Sequence, residues 1–142
     1  MYRFIAAIQV AALVVAGFPV SAFADDVSDQ AAAKVEKIES GDVIVVKLAD
    51  SKKRVKVRVL GIDCNKNAKN AAAALVGRET VSLRSDKPFL PIAQDQFGRY
   101  VAYIEMTDGR DFGLEMIKSG ECSTEDWKFP HPRLTQYASA SR

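Results

Sequence analysis

The segment from 53 to 66 constrains the fold most, because it has the pattern of a half-buried strand with an abrupt end. Valines alternate with cationic side chains over Val55–Val59, and a strand turns alternate side chains to opposite faces. Gly61 then interrupts the pleat, and Asp63 follows it. An arginine at position 58 on the solvent face, with a carboxylate just past the strand, indicates either a phosphate or metal site or an ordinary surface ion pair.

The rest of the chain repeats this β pattern. Short runs rich in β-branched and aromatic residues, separated by turn residues, predict five strands, which are Lys34–Ile38, Asp42–Leu48, Arg54–Leu60, Thr80–Leu83 and Gly98–Met106. Short turns join the first three strands into an antiparallel meander. Runs of good helix formers, two of them ended by glycine, predict helices at Asn67–Val76, Phe112–Ser119 and Leu134–Ala140. The expected fold is mainly β with helices (α+β), a five-stranded OB-fold barrel with two to three helices.

The first 24 residues resemble a secretory signal peptide. Arg3 supplies the positive start, Phe4–Val20 is apolar and uncharged, and Ala22–Ala24 fits a cleavage site. An N-terminal membrane anchor is the alternative, but the apolar run is short for a membrane span. We therefore expect a signal peptide at 1–24, a loose leader at 25–33 and one domain at 34–142, exported to the periplasm or secreted, with no membrane contact after cleavage.

Charge and cysteine content bound the possible partners and the compartment. The formal net charge of the chain is +2, and removal of Arg3 with the signal leaves +1, which neither favours nor excludes a nucleic-acid partner. The chain has two cysteines, Cys64 and Cys122, and an even number after export favours a disulfide between them. Two small buried thiols are the alternative.

Four charged residues fall at the ends of predicted strands, where barrels build their sites. They are Asp42, Arg58, Asp63 and Arg99. Carboxylates hold hard divalent cations through oxygen, and arginines fork onto phosphate and neutralise charge in the transition state. Two of each indicate phosphodiester chemistry.

Three motifs then resemble those of the thermonuclease (staphylococcal nuclease-like) family. Ser40–Val43 is similar to that family's Asp-Gly-Asp-Thr, and Arg58–Lys66 to its Arg followed by Asp-x-Pro-Glu. Asp95–Arg99, followed by an apolar strand with Ala102 and Tyr103, is similar to its Asp-x-Tyr-Gly-Arg motif. The resemblance spans roughly residues 34 to 122. It implies an OB barrel with calcium-dependent phosphodiesterase activity on DNA or RNA.

The resemblance also implies roles for individual residues. Asp42, Asp63 and the backbone carbonyl of Cys64 match calcium (Ca2+) ligand positions. Arg58 and Arg99 match the catalytic arginines that contact phosphate. Phe97 stands where the family has a tyrosine, and it keeps a surface for stacking on the substrate.

Lys66 occupies the position of the family's catalytic glutamate. A lysine with its ordinary pKa near 10.4 is protonated at neutral pH, so it neither accepts a proton from water nor favours a nearby cation. We therefore expect an impaired nuclease site in a monomer, with a non-catalytic module that binds nucleic acid or another anionic partner as the alternative. A structural module without a ligand is a third possibility.

Trp127 is expected either to stack a base or, more often for a lone tail tryptophan, to pack on the barrel, and His131 to lie in a surface loop.

Overall fold

A computed structural model describes residues 27–125 and 130–141. Its strands are β1 (Gln30–Ser40), β2 (Val43–Leu48), β3 (Arg54–Val59), β4 (Ile62–Cys64), β5 (Thr80–Arg84), β6 (Tyr100–Glu105) and β7 (Cys122–Thr124), and its helices are α1 (Ala68–Val76), α2 (Phe112–Lys118) and α3 (Leu134–Ala140). The predicted signal peptide and Trp127 lie outside the described residues.

Five of the strands close into a barrel in the order β1-β2-β3-β6-β5. Every pair is antiparallel except β3 with β6, which is parallel. The predicted closed barrel with three helices is confirmed, and its strand order is consistent with an OB fold. None of the described helices is long and apolar enough to cross a membrane.

The barrel core contains the inward-facing residues that the alternation predicted. Val55, Val57 and Val59 are all buried, as are Ile44 and Val46 on the neighbouring strand. Each such aliphatic side chain stabilises the fold by about 1.5 to 3 kcal/mol relative to an exposed one. The cationic residues of β3 are correspondingly turned outwards.

The first strand corrects the predicted leader. β1 begins at Gln30, so residues 30–33 belong to the strand and not to a loose segment. These residues pair with β5, where Gln30 lies opposite Arg84 and Lys34 opposite Thr80, and this pairing closes the barrel. The alanines at 31–33 have no β-branch to signal a strand, so closure of the barrel and not local propensity gives them this conformation.

Two three-residue strands form a second, small sheet that the sequence did not reveal. β4 pairs with β7 in antiparallel register, and Cys64 lies opposite Cys122. Their sulfurs form a disulfide with an S–S distance of 2.06 Å across a Cα–Cα distance of 4.0 Å, which confirms the predicted pairing over two free thiols. The bridge fixes the segment after α2 beside the end of β3.

The C-terminal helix is attached through a hydrogen-bonded network centred on Asp111. This carboxylate caps α2 by accepting hydrogen bonds from the backbone N–H groups of Gly113 and Leu114. It also accepts from the Tyr137 hydroxyl at 2.8 Å and pairs with Arg133 Nη1 at 2.8 Å. Asp111 precedes α2, whereas Arg133 and Tyr137 belong to the start and the middle of α3, so the network joins the two helices. The Tyr137 side chain is fully buried.

Candidate functional site

Arg58 is the centre of the candidate site. Its Nη1 group donates to the carbonyl oxygens of Val59 and Ile62 at 2.8 and 2.9 Å, and its Nη2 donates to Glu125 Oε1 at 2.9 Å. Asp42 Oδ2 lies 3.4 Å from Nη1. The guanidinium side chain is only 16% exposed, so it is held in one position between two carboxylates at the exit of β3.

Arg99 is positioned by the turn that precedes β6. Asp95 Oδ1 accepts hydrogen bonds from the backbone N–H groups of Phe97 and Arg99, and Asp95 Oδ2 accepts from Arg99 Nε at 2.7 Å. Burial acts to raise the pKa of Asp95, but these hydrogen bonds with Arg99 outweigh it, so the pKa lies below its usual value. Asp95 is therefore ionised at neutral pH and holds the Arg99 guanidinium in place.

One groove contains both predicted arginines. It has a volume of about 470 Å³, and it is lined by Arg58, Leu60, Gly61, Asp95, Gln96, Phe97, Arg99, Val101, Glu125 and His131. We call it the arginine groove. Phe97 is 72% exposed, and the Arg99 guanidinium lies 5.3 Å from the centre of its ring. The groove thus combines two cations with an exposed aromatic face.

The predicted calcium ligand Asp42 is paired with other groups of the protein. Asp42 accepts a hydrogen bond from Ser40 Oγ at 2.7 Å through one oxygen, and its other oxygen faces Arg58. Over the described ranges, no three His, Cys, Asp or Glu side chains are grouped closely enough to hold a metal ion. Calcium takes six to eight oxygen ligands, and an acid already paired with an arginine is a poor donor. The calcium site formed by Asp42, Asp63 and the Cys64 carbonyl therefore stays a prediction.

The remaining predicted residues do not line the arginine groove. Asp63 is exposed on β4 and lines a second groove beside the disulfide, together with Cys64 and Glu121. Lys66 is exposed in the turn after β4 and lines neither groove. The structure thus brings Arg58, Arg99, Phe97 and Asp42 to one region, and it places Asp63 and Lys66 outside the arginine groove.

Two groove residues were not predicted from the sequence. Glu125 is 67 positions from Arg58, and no local pattern indicates their contact. His131 lies in a loop, as expected, but it is half-buried in the groove, and its ring packs against Tyr103 and Tyr137. Gly61 makes room for it, because a Cβ at that residue would lie 2.6 Å from the imidazole, and its φ of +83° favours glycine.

Histidine 131 is a neutral, packed residue. Its Nδ1 is paired with the Tyr103 hydroxyl, and its Nε2 is buried and has no hydrogen-bond partner. Burial first, and the nearby Arg133 cation second, lower the pKa of His131. Since neither ring nitrogen faces the groove, this histidine shapes the wall and does not supply a base.

The buried tyrosines give the fold a dependence on alkaline pH. Burial raises the pKa of Tyr103 to about 12 from a usual value of 10.0, and it also raises the pKa of Tyr137. The unfolded chain loses these protons first, so the stabilisation is complete below pH 10 and is lost as pH rises towards 12. We expect Tyr103 to account for about 2 to 3 kcal/mol of that loss. Urea unfolding of the wild type and of Tyr103→Phe between pH 9 and 12 measures this loss of stability. If the free energy of unfolding falls equally steeply with pH in both proteins, Tyr103 does not contribute to the loss.

The chain matches no protein-family model, and no curated protein matches it.

Proposed function

We propose that this protein binds single-stranded nucleic acid in the arginine groove and is at most a weak phosphodiesterase. The observation that carries the proposal is that Arg58 and Arg99, distant in sequence, line the same groove as the exposed Phe97 ring. Arginine recognises phosphate through paired N–H donors, and an aromatic face stacks any unpaired base. Export to the periplasm or beyond is part of the proposal, and the disulfide supports it.

Binding without efficient hydrolysis is favoured by the state of the acids. Asp42 is paired with Arg58, Asp63 lies outside the groove, and Lys66 is exposed where the resembling family has its glutamate. A protonated lysine cannot take a proton from attacking water. Among the groove residues, no carboxylate is without an arginine partner, because Asp95 pairs with Arg99 and Glu125 with Arg58.

A cleavage assay separates binding from hydrolysis. Labelled single-stranded DNA and RNA are incubated with the wild-type protein and with Lys66→Glu, each with calcium and with a chelator. We expect both proteins to retain the strand with calcium chelated, and calcium-dependent cleavage, if it occurs at all, to be faster in Lys66→Glu. Rapid calcium-dependent cleavage by the wild type would establish the nuclease alternative instead. Failure to bind either polymer at low salt would refute the proposal.

If the arginine groove binds phosphate, Glu125 competes with that phosphate for Arg58. Both Nη1 hydrogens of Arg58 go to backbone carbonyls, so a phosphate binds this guanidinium through Nη2 and Nε, and at Nη2 it meets the Glu125 carboxylate. We expect Glu125→Gln to tighten binding of a short oligonucleotide about 3- to 10-fold, the effect of weakening one charge-assisted hydrogen bond.

The matched control is Glu121→Gln, which removes the same charge from the neighbouring groove. Fluorescence anisotropy titrations of the three proteins provide the affinities. If both variants bind equally tightly, the gain reflects net charge and not competition at Arg58.

A further inference from the structure

The outer face of the first three barrel strands carries a cluster of cations that the arginine groove does not include. Strand register places Lys34 beside Lys47, and Lys47 beside Arg54, in one row across the sheet. The next row places Lys37 and Lys56 on either side of Val45, and the last places Arg58 beside Val43. We call this surface the cationic face, and its members are Lys34, Lys37, Lys47, Arg54, Lys56 and Arg58.

Half of these six cations are paired with carboxylates within the fold. Arg58 lies between Asp42 and Glu125. Two β1 glutamates, both at irregularities in the pairing of β1 with β2, balance two others: Glu36 pairs with Arg54 at 2.6 Å, and Glu39 pairs with Lys56 at 3.1 Å. The three lysines at 34, 37 and 47 have no ion-pair partner within the part of the chain that the structure describes. Like charges directly opposite each other on paired strands destabilise a sheet. The row of Lys34, Lys47 and Arg54 therefore lowers the stability of the fold, and a bound anion offsets this repulsion.

The cationic face is continuous with the arginine groove through β3. Arg54, Lys56 and Arg58 alternate along the strand, so their side chains repeat about every 6.6 Å, and Arg58 is also a wall of the groove. Val43 and Val45 are the outward apolar residues of β2, and no aromatic side chain lies in these rows. This composition suits contacts with a phosphate backbone and not base stacking or insertion into lipid.

We propose that the cationic face is a track for the phosphate backbone of single-stranded nucleic acid, which leaves the arginine groove at Arg58 and crosses β3, β2 and β1. The proposal rests on the proposed function of the groove. A strand that fills only the groove does not reach Lys34, Lys37 or Lys47. A longer strand contacts them and releases additional counterions.

The test compares a triple variant, Lys34→Gln/Lys37→Gln/Lys47→Gln, with the charge-matched control Lys69→Gln/Lys87→Gln/Lys118→Gln, whose lysines are exposed elsewhere. Oligonucleotides of about four and about sixteen nucleotides, the limits of OB-fold site sizes, are titrated by anisotropy over a range of salt concentrations. For the longer strand, we expect the track variant to lose about 2 units from the slope of log K against log salt, at about 0.7 per phosphate contact. The control slope and the binding of the short strand by all three proteins are expected to stay near the wild-type values.

Three outcomes overturn the track. One is an equal loss in both triple variants, and another is an equal loss for short and long strands. The third is tighter binding to vesicles with one-quarter anionic lipid than to the long strand, provided that the triple lysine variant loses it. That result identifies the cationic face as a lipid contact. If no protein binds the short strand, the arginine-groove proposal has failed, and binding of the long strand then tests the track separately. Thermal melting checks the fold, and removal of the like-charge row is expected to leave the melting temperature unchanged or higher.

Discussion

Replacing Asp111 with alanine is expected to lower the free energy of unfolding by about 2 to 4 kcal/mol, from the lost helix cap and from the buried Tyr137 hydroxyl left without an acceptor. Three stabilising contacts disappear together: the α2 cap, the ion pair with Arg133, and the acceptor of the Tyr137 hydroxyl. The Asp111 side chain is 13% exposed, so water does not replace these contacts well. Native domains have only about 5 to 15 kcal/mol of stability in total.

Guanidinium unfolding of Asp111→Ala and Asp111→Asn measures this effect. Asparagine keeps the cap and an acceptor for Tyr137 but loses the charge, so it is expected to unfold at an intermediate midpoint. Asp108→Ala is the matched control, because Asp108 pairs with Arg110 on the exposed surface and its loss should hardly move the midpoint. If alanine at 111 and alanine at 108 shift the midpoint equally, Asp111 is not the centre of the network.

Removing the disulfide is the second change with a large expected effect. The bridge closes a segment with a sequence separation of 58 residues, and loop-closure entropy for that length corresponds to about 4 kcal/mol at 25 °C. We expect Cys64→Ala/Cys122→Ala to lose up to that amount, measured by guanidinium unfolding beside the oxidised wild type. The loss should come with weaker oligonucleotide binding, because β7 leads directly to Glu125 and the groove wall.

The control is the reduced wild-type protein, which should unfold at the same midpoint as the double variant. Thiol titration of the denatured, unreduced wild type should find no free thiol. A double variant as stable as the oxidised protein would show that the β4–β7 pairing, and not the covalent bond, fixes this region.

The barrel was predictable because its signals are local. The alternation over 55–59 determines which side chains enter the core, and all three valines of that strand are buried. The alanine-rich run that ends at Gly77 likewise gave α1 to within one residue of its predicted start. In each of these segments, the preference of the residues agrees with the final fold.

The elements that were not predicted from the sequence share a different physical cause. The strand at 30–33 depends on barrel closure with β5, and β4 and β7 depend on each other across the disulfide. Such contacts join residues far apart in the chain, and short segments carry no periodicity that would reveal them. The same holds for His131, whose flanking prolines suggest a loop while its ring packs on Tyr103.

The candidate site was predictable only in part. Motif positions identified Arg58, Arg99 and Phe97, and the structure places them on one groove. They did not reveal that Glu125 pairs with Arg58, or that the Asp42 carboxylate faces the same guanidinium. Those pairings decide whether the groove favours binding or hydrolysis. The first follows from the backbone bond of Glu125 to Gly61 beside the β4–β7 pair, and the second from the register of β2 with β3, in which Val43 lies opposite Arg58.

The most direct test of the nucleic-acid groove is a ¹⁵N–¹H chemical-shift titration of the wild-type protein with a single-stranded oligonucleotide of about four nucleotides. Binding in the arginine groove is expected to give saturable shifts of the amides of Gly61, Phe97, Gly98 and Arg99, with the amides of the turn at 107–110 unmoved. Shifts that leave the groove amides in place while others move, or no shifts at low salt, would contradict it.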